Sequence, residues 1–547
     1  MKRLCLFPVG LFLLGLAVRP AAAQTFPAPD YFRQFVTRPD IPARVKGPEG
    51  LRDYVVKGKL RLALADAIRL ALVNNTDIRI DQLQIEQARY GILSAYRPFD
   101  PAFSTNLGAT RSISPTTNQL QGAPTLSTLS QQAQFNYSQT FQTGTQYSVA
   151  FGGSKSDTNS TFYFLNPYFS SNLNFSLTQP LLRNRGLFPN RAPIVIARRN
   201  LEQSRANFET QVSNILAQAV GEYWFVVQAR ESLKVVQSSL AAAEASYRRD
   251  KRALELGALP PLDIYRSESE VAQRRVQVIQ AEYAQKQAED QFRQMIGADL
   301  DPYIRALDLE LLESPEAQGE LLTVDAKTAL EEALAHRSEL RALQPQLAND
   351  DTSIRLARNG LRPDLELAAN YLSAGVGGNQ LNSLTTPPSV IRGGFGDALS
   401  QLGGFGFPTY GFTLTLNLPV RDRAAQASLG RARVAKENDL YLLRRQEQAI
   451  ILEVMNAVHQ LEQAKLSLAA SRIARNLAEK SVQAEQRKYE LGAQTVFFVL
   501  QAQSVLAQAE LNMVQAEISY QLALTALERT TGRLLEKHQI QIGDAIP

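Results

Sequence analysis

The stretches LELGALPPLD, residues 254–263, and YELGAQTVFF, residues 489–498, each set Glu-Leu-Gly-Ala in the middle of a long helix-like segment. Glycine takes the left-handed conformation that ends a helix without a side-chain clash, so each stretch reads as a point where one helix stops and the chain reverses. Pro260 and Pro261 restart the chain in the first, and Thr495 does so in the second. What flanks these two turns decides the fold.

No proline lies between Pro193 and Pro260, between Pro261 and Pro302, or between Pro419 and Pro547. Proline ends or kinks a helix, so these gaps mark long helices. In the first gap, apolar residues recur at alternating steps of three and four: Phe208, Val212, Ile215, Ala219 and Tyr223, then Leu233, Val236, Leu240, Ala243 and Tyr247. That spacing is a coiled-coil seam. A helix over roughly 193–257 is about 95 Å long at about 1.5 Å per residue, far beyond an ordinary globular helix.

The chain also repeats itself. Residues 254–297 overlay 489–532 without a gap, matching Gly257 to Gly492 and Gly297 to Gly532. Residues 67–103 overlay 329–365, with Ala71-Leu72 on Ala333-Leu334 and Pro101 on Pro363. Identity is low, but the order of features is the same: helix, proline-marked break, alternating strands, proline, long helix, ELGA, second helix, glycine.

The strands alternate with period two. Phe135, Tyr137 and Phe141 alternate with Asn136 and Thr140, Leu173, Phe175 and Leu177 with Asn174, Ser176 and Thr178, and Tyr410, Phe412, Leu414 and Leu416 with Gly411, Thr413 and Thr415. The Ser-, Thr-, Asn- and Gly-rich stretches 112–131, 153–161 and 374–408 read as exposed loops. A soluble sandwich also alternates. The aromatic apolar face, the near absence of charge on the polar face and an export leader favour instead a closed barrel with a lipid-facing and a water-facing side. Two strands per half give four per chain, too few to enclose water, so several copies must share one barrel; three copies give twelve. An extra hairpin at Thr143-Gly144 would raise the first half to four strands, and both counts return the helices to one side of the membrane.

Lys2 and Arg3 precede an apolar run and Ala21-Ala22-Ala23, the pattern of a secretory leader cut after Ala23. The only cysteine, Cys5, lies inside it, so the expected mature chain has no disulfide, thiol nucleophile or cysteine ligand, and no lipid attachment site at the cut. Loss of Lys2, Arg3 and Arg19 lowers the formal net charge from +5 to +2, a balance that argues against nucleic acid as a partner. His336, His459 and His538 lie far apart without ligand-spaced companions, no Ser/His/Asp arrangement stands out, and GGFG at 393–396 and GGFGF from 403 lack the context of a phosphate cradle. No cofactor, metal or enzymatic activity is expected.

At this point the residues resemble the TolC family of outer-membrane efflux channels over about 60–535. The resemblance rests on LALADAIRLALVNNTDIR and its echo AKTALEEALAHRSELR, on LRPDLEL, LTQPLL and LNLPV at the strand borders, and on the two ELGA turns. It implies an α+β membrane protein: a trimeric outer-membrane β-barrel continued by a long periplasmic α-helical barrel, with two internal structural repeats per chain. The implied partners are two further copies, outer-membrane lipid, a periplasmic adaptor protein and an inner-membrane transporter, and the implied role is the exit duct of efflux or secretion. An exported coiled-coil scaffold or adaptor without a pore is the competing reading.

The expected layout is a leader 1–23, an extended N-terminal segment 24–59, a first repeat 60–297 with strands about 102–180, a linker 298–325, a second repeat 326–535 with strands about 364–419, and a tail 536–547. Hairpin tips near 257–263 and 492–498, at Gly257, Ala258, Gly492 and Ala493, are the expected adaptor docking points. By resemblance, Asp263 lines an acidic ring at the closed end. The corresponding place in the second turn holds Phe498, so the expected gate is one Asp263 ring beside Phe497, Phe498 and Gln501. Asp263 equally suits capping of the returning helix. The basic run Arg248, Arg249, Lys251, Arg252 and the pair Arg487-Lys488 read as solvated helix faces or as docking points, and Phe162, Tyr163, Phe164, Tyr168 and Phe169 as an aromatic girdle or a packed hairpin.

Overall fold

The computed structural model describes residues 47–116, 121–257, 262, 264–316, 321–382 and 389–540. The leader, most of the segment 24–59 and the end of the tail lie outside the described residues. Residues 48–547 form one compact unit, and the architecture that follows belongs to it.

The unit combines very long helices with one large sheet and one small one. The small sheet holds β1 (Val55–Val56), β2 (Lys59–Leu62) and, in parallel with β2, β7 (Asp308–Leu311) from the middle of the chain. The expected linker therefore carries a strand that meets the end of the N-terminal segment. Helices α1 (Leu64–Asn74) and α2 (Thr76–Ala95) precede the large sheet, and α3 (Leu187–Glu255) and α4 (Ile264–Met295) follow its first four strands. A one-turn helix α5 (Pro302–Arg305), then α6 (Ala326–His336) and α7 (Ser338–Gly360), lead into the second set of strands. A short α8 (Phe395–Gly403) sits among those strands, and α9 (Arg423–Glu490), α10 (Val496–Thr530) and one-turn α11 (Leu534–Lys537) complete the chain.

Each half opens with two helices rather than one, because Asn75 and Arg337 take extended conformations between them. The Asn75 side chain accepts from the backbone N–H groups of Asp77 and Ile78, satisfying donors that the first turn of α2 leaves free. The 69 residues of α3 correspond to about 104 Å. That helix starts at Leu187, earlier than the proline-free rule predicts. Pro189 falls in its first turn, where a proline has no helical hydrogen bond to lose, and Pro193 follows one turn later.

The predicted seam is real. Phe208, Val212, Ile215, Ala219 and Tyr223 are all buried, as are Val236 and Ala243 further along. Tyr223 is the centre of the largest core, its ring edge-on to Trp224 at 5.7 Å and to Phe292 of α4 at 5.9 Å, beside Leu60 and Leu62 of the small sheet. Four helices lie side by side in one layer at each level. Between the small sheet and the ELGA turns the order is α4, α3, α10, α9; between the small sheet and the large one it is α2, α3, α7, α9.

The large sheet contains β3 (Ala102–Pro115), β4 (Thr125–Thr140), β5 (Gln146–Thr158), β6 (Leu165–Pro180), β8 (Asp364–Asn382) and β10 (Phe407–Asn417), in the order β10-β8-β6-β5-β4-β3, with the short β9 (Ser389–Ile391) beside β8. All neighbours are antiparallel. The first half thus supplies four strands, with its inner turn at Thr143-Gly144, and six long strands replace the four of the simpler count. Much of 112–131, 153–161 and 374–408, expected as loop, is strand. A wall that faces water on one side needs Ser, Thr, Gln and Gly inside strands, and composition alone reads such residues as loop.

The register aligns one residue from each strand: Phe103, Tyr137, Val149, Phe175, Tyr371 and Tyr410. The next row along projects to the opposite face and contains Ser138, Ser148, Ser176, Asn370 and Gly411. One face is therefore aromatic and aliphatic near the helices, with Arg111, Lys155 and Asp157 on it farther out, while the other is small, polar and almost without charge. The two edge strands are exposed, β10 along its whole length and β3 everywhere but at the half-buried Gly108.

GGFG at 393–396 and the glycines after 402 bracket α8 instead of forming a free loop. This helix packs on the apolar face over small residues: Ser171 Oγ donates to the Ala398 carbonyl at 2.8 Å and Ser373 Oγ to that of Leu402 at 3.1 Å. A Cβ at Gly375 would lie 2.0 Å from the Ala398 carbonyl oxygen, so only glycine allows the contact.

Candidate functional site

At the end farthest from the large sheet, both ELGA turns end their helices in the same way. Gly257 has φ +73 and Gly492 φ +74. The Gly257 N–H donates to the Leu254 carbonyl at 2.9 Å, and the Gly492 N–H to that of Tyr489 at 2.9 Å. Ala493 adds a bond to the Lys488 carbonyl at 2.9 Å, which completes a left-handed cap and satisfies carbonyls that the last turn leaves free. Thr495 precedes α10 in an extended conformation, but its side chain makes no capping bond. Ala258, Pro260, Pro261 and Asp263 lie outside the described residues. Sequence reasoning missed the leucine of each ELGA: Leu256 is 84% exposed and Leu491 78%, so each tip carries a bare apolar side chain next to its glycine.

On α10, Val496, Val499 and Leu500 are buried, which leaves Phe497, Phe498 and Gln501 on the open side of the helix. The two phenyl rings meet edge to face at 5.4 Å, and the Arg266 guanidinium of α4 lies over Phe497 at 5.6 Å. Phe497 and Phe498 are thus in contact, with Gln501 exposed one turn along, and a cation from the other hairpin lies over Phe497.

A second cluster, which the sequence did not flag, ties the two hairpins together. Asp250 of α3 is fully buried two turns before the first tip. Ser267 of α4 donates to its Oδ2 at 2.5 Å and Tyr489 of α9 to its Oδ1 at 3.2 Å. Arg249 stacks its guanidinium 4.9 Å from the Tyr489 ring, with Nε 3.9 Å from Asp250. Burial, and then the Asp250 charge, push the Tyr489 hydroxyl above the usual tyrosine range, so it remains a donor. Arg249 is accordingly part of an inward cluster, whereas its neighbour Arg248 is exposed as the solvated-face reading expects. The available signal was positional: an aspartate seven residues before one ELGA glycine and a tyrosine three before the other.

Further up the helical layer, Asp350 of α7 is buried facing Asp439 of α9. Burial and the Asp439 charge raise its carboxyl to about 6, with Asp351 adding to the shift and Lys436 opposing it. Glu517 of α10 is also buried, with one oxygen lacking a partner, and its carboxyl is pushed up by burial and by Glu316. Among the described residues no group of three or more His, Cys, Asp or Glu side chains is placed to hold a metal ion. No described helix is long and apolar enough to cross a membrane.

The comparisons with known proteins agree with this geometry. The profile of the outer membrane efflux protein family matches residues 67–298 and 329–533. The chain is 24% identical to the outer membrane efflux protein BepC of Brucella suis biovar 1 (strain 1330) over 347 residues, 63% of this chain and 69% of that protein. The CusC channel structure superposes with a TM-score of 0.60 at 16% identity, covering 91% of this chain and 98% of its own. The CmeC outer membrane channel of Campylobacter jejuni superposes with a TM-score of 0.61 at 14% identity, covering 88% and 90% respectively. Helical hairpins hung from an antiparallel sheet, in the arrangement of the TolC-like channels, and a profile spanning both halves lead to one conclusion: the chain belongs to the outer membrane efflux protein family.

Proposed function

We propose that this protein is the outer-membrane exit duct of an efflux or secretion system, a homotrimer whose sheets close a barrel in the membrane and whose helices form a tube in the periplasm. The observation that carries this reading is the open sheet, apolar on one face, polar and nearly uncharged on the other, with both edges unpaired. Such a sheet meets lipid and water at once only as a sector of a closed barrel. Exposed apolar stripes on the helices support the same assembly: among the described residues, Val434, Tyr441, Leu452, Leu466 and Ile473 of α9, and Val276, Ile279 and Tyr283 of α4, are all more than half exposed. Neighbouring copies would bury them as they bury the sheet edges.

Two internal repeats account for the paired details. Gly297 ends α4 against Asn74, just as Gly532 ends α10 against His336, and both glycines are left-handed. The exposed tips, with Leu256-Gly257 and Leu491-Gly492, suit docking to a periplasmic adaptor that leads to an inner-membrane transporter. Asp263, Phe497, Phe498 and Gln501 form the gate at the closed end, and the Asp250–Tyr489 cluster holds it shut. The protein transports and does not catalyse.

Fractionation into outer-membrane vesicles, followed by planar-bilayer recording of the purified protein, tests the duct. Membrane-bound material that conducts is expected. A soluble, non-conducting protein would instead establish the exported coiled-coil scaffold.

A further inference from the structure

The number of strands has a geometric consequence for the exit pore. Six strands spaced about 4.8 Å apart and tilted by about 40° occupy an arc of about 38 Å of barrel wall. The four helices that lie side by side beneath them, at about 9 Å each, occupy about 36 Å of tube wall. Sheet and helices of one chain therefore subtend the same arc.

The first hairpin, β3–β4, has the chemistry of wall rather than of an external flap. Its apolar face carries Phe103, Leu107, Ile113, Leu129 and Phe135, with Arg111 beside Leu129 in the outer half, in register with the apolar face of the other strands. Its opposite face carries Asn106, Gln132 and Gln134. At 14 and 16 residues, β3 and β4 exceed the roughly 9–11 residues that a tilted strand needs to cross a bilayer. Across all six strands, the polar face holds only Asp364 and Glu366 as charged groups among the described residues. Both stand at the helix-side end, where Asp364 pairs with Arg183 at 3.4 Å.

We infer that the sheet is one third of an eighteen-stranded, charge-neutral barrel as wide as the helical tube below it, closed by β3 of each copy pairing with β10 of the next. This rests on the three-copy duct proposed above. Three arcs of about 38 Å give a backbone diameter of about 36 Å, in the range where a barrel leaves an open aqueous channel. A neutral lumen of that width neither selects by charge nor narrows, so it fits bulky cargo that has already passed the gate at the tips.

Cysteine pairs read the closure directly, since the only native cysteine is Cys5. Polar-face positions on β10, by Gly411→Cys, Thr413→Cys or Thr415→Cys, are combined in full-length protein with Ser104→Cys, Asn106→Cys or Gly108→Cys on β3. A second set combines the same β10 positions with Ser148→Cys, Ala150→Cys or Gly152→Cys on β5. Each protein is oxidised in outer-membrane vesicles and run under denaturing conditions, and the native mass of the wild-type particle is measured in detergent. Covalent dimers and trimers from β3–β10 pairs, none from β5–β10 pairs, and a three-copy mass are expected. Links from β5–β10 pairs alone would reduce the barrel to twelve strands and overturn the inference while the duct stands. A conducting particle without links from either set, or with a copy number other than three, would overturn it as well. A monomeric, non-conducting protein would remove the duct reading itself.

Discussion

Removing a single hydroxyl at the tips, by Tyr489→Phe, should open the tube. In the wild-type chain that hydroxyl donates to Asp250 at 3.2 Å, and Asp250 is fully buried, so the lost bond is not replaced by bulk water. A hydrogen bond to a charged group is worth about 1.5–3 kcal/mol; because Tyr489 is only half-buried, the lower end applies, about 1.5 kcal/mol per copy. Since about 1.4 kcal/mol is a factor of ten, the closed arrangement loses roughly tenfold per copy, compounded over the copies in the ring. The ring, its stacking on Arg249 and the bond from Ser267 to Asp250 all remain, so assembly should be unaffected. Single-channel recording in planar bilayers reads the effect as a rise in open probability. Asp250→Asn and the double variant complete a cycle, and residues sharing one bond should be non-additive by about 1 kcal/mol. Wild-type open probability in Tyr489→Phe with intact assembly, or strict additivity, would refute the claim that this cluster holds the hairpins shut.

Asp350 makes stability depend on pH. Its carboxyl lies near 6 in the fold against an ordinary value of 3.8, so the fold binds the proton more tightly than the unfolded chain does. The resulting stabilisation is complete below about pH 4 and is lost as pH rises through about 6, and thermal unfolding should occur at a higher temperature at pH 5 than at pH 7.5. Asp350→Asn should flatten this difference; an unchanged slope assigns it to other groups. Gly492→Ala should destabilise the second tip by about 1–2 kcal/mol, because φ +74 strains any side chain although no neighbour lies within 4 Å of the new Cβ. Hydrogen exchange localised to the end of α9 checks it, and wild-type protection there would refute the strain argument. Asp263→Asn should weaken block by divalent cations with assembly intact, measured as conductance against cation concentration; unchanged block would leave Asp263 with a capping role alone.

The helices and tips were legible because their signals are local. The seam through Phe208, Val212 and Ile215 follows from spacing alone, and the two caps follow from glycine. The sheet was half legible. Its alternation was plain where Phe, Tyr and Leu mark the apolar face, but SQQAQ in β4 and GGSKSD in β5 carry little apolar contrast, and only the register shows them to be wall. The Asp250 cluster was hidden for another reason. Asp250 and Tyr489 are 239 residues apart, and nothing in either segment shows that the two hairpins meet there. Likewise α8 depends on glycines in a different strand, Gly375 and Gly377, whose purpose is visible only once the helix lies on them.

For the gate proposed above, the same long helices explain why a weak lock would suffice at the tips. From Tyr223, fixed in the core beside the small sheet, to Glu255 at the end of α3 is 32 residues, or about 48 Å of helix. Moving the tip outward by about 5 Å therefore requires a bend of only about 6°, within the gentle curvature that long helices adopt without breaking a hydrogen bond. The helices α4 and α10 end at the level of that core, on the left-handed Gly297 and Gly532, while α3 and α9 run on towards the sheet. Each hairpin can then swing as a rod about its upper anchor with the large sheet at rest. What opposes the swing is the contact between hairpins near the tips, which includes the buried Asp250 with Ser267, Tyr489 and Arg249, and Arg266 over Phe497. On the gate proposed above, contacts of this size are the ones that a docking partner at Leu256 and Leu491 would release.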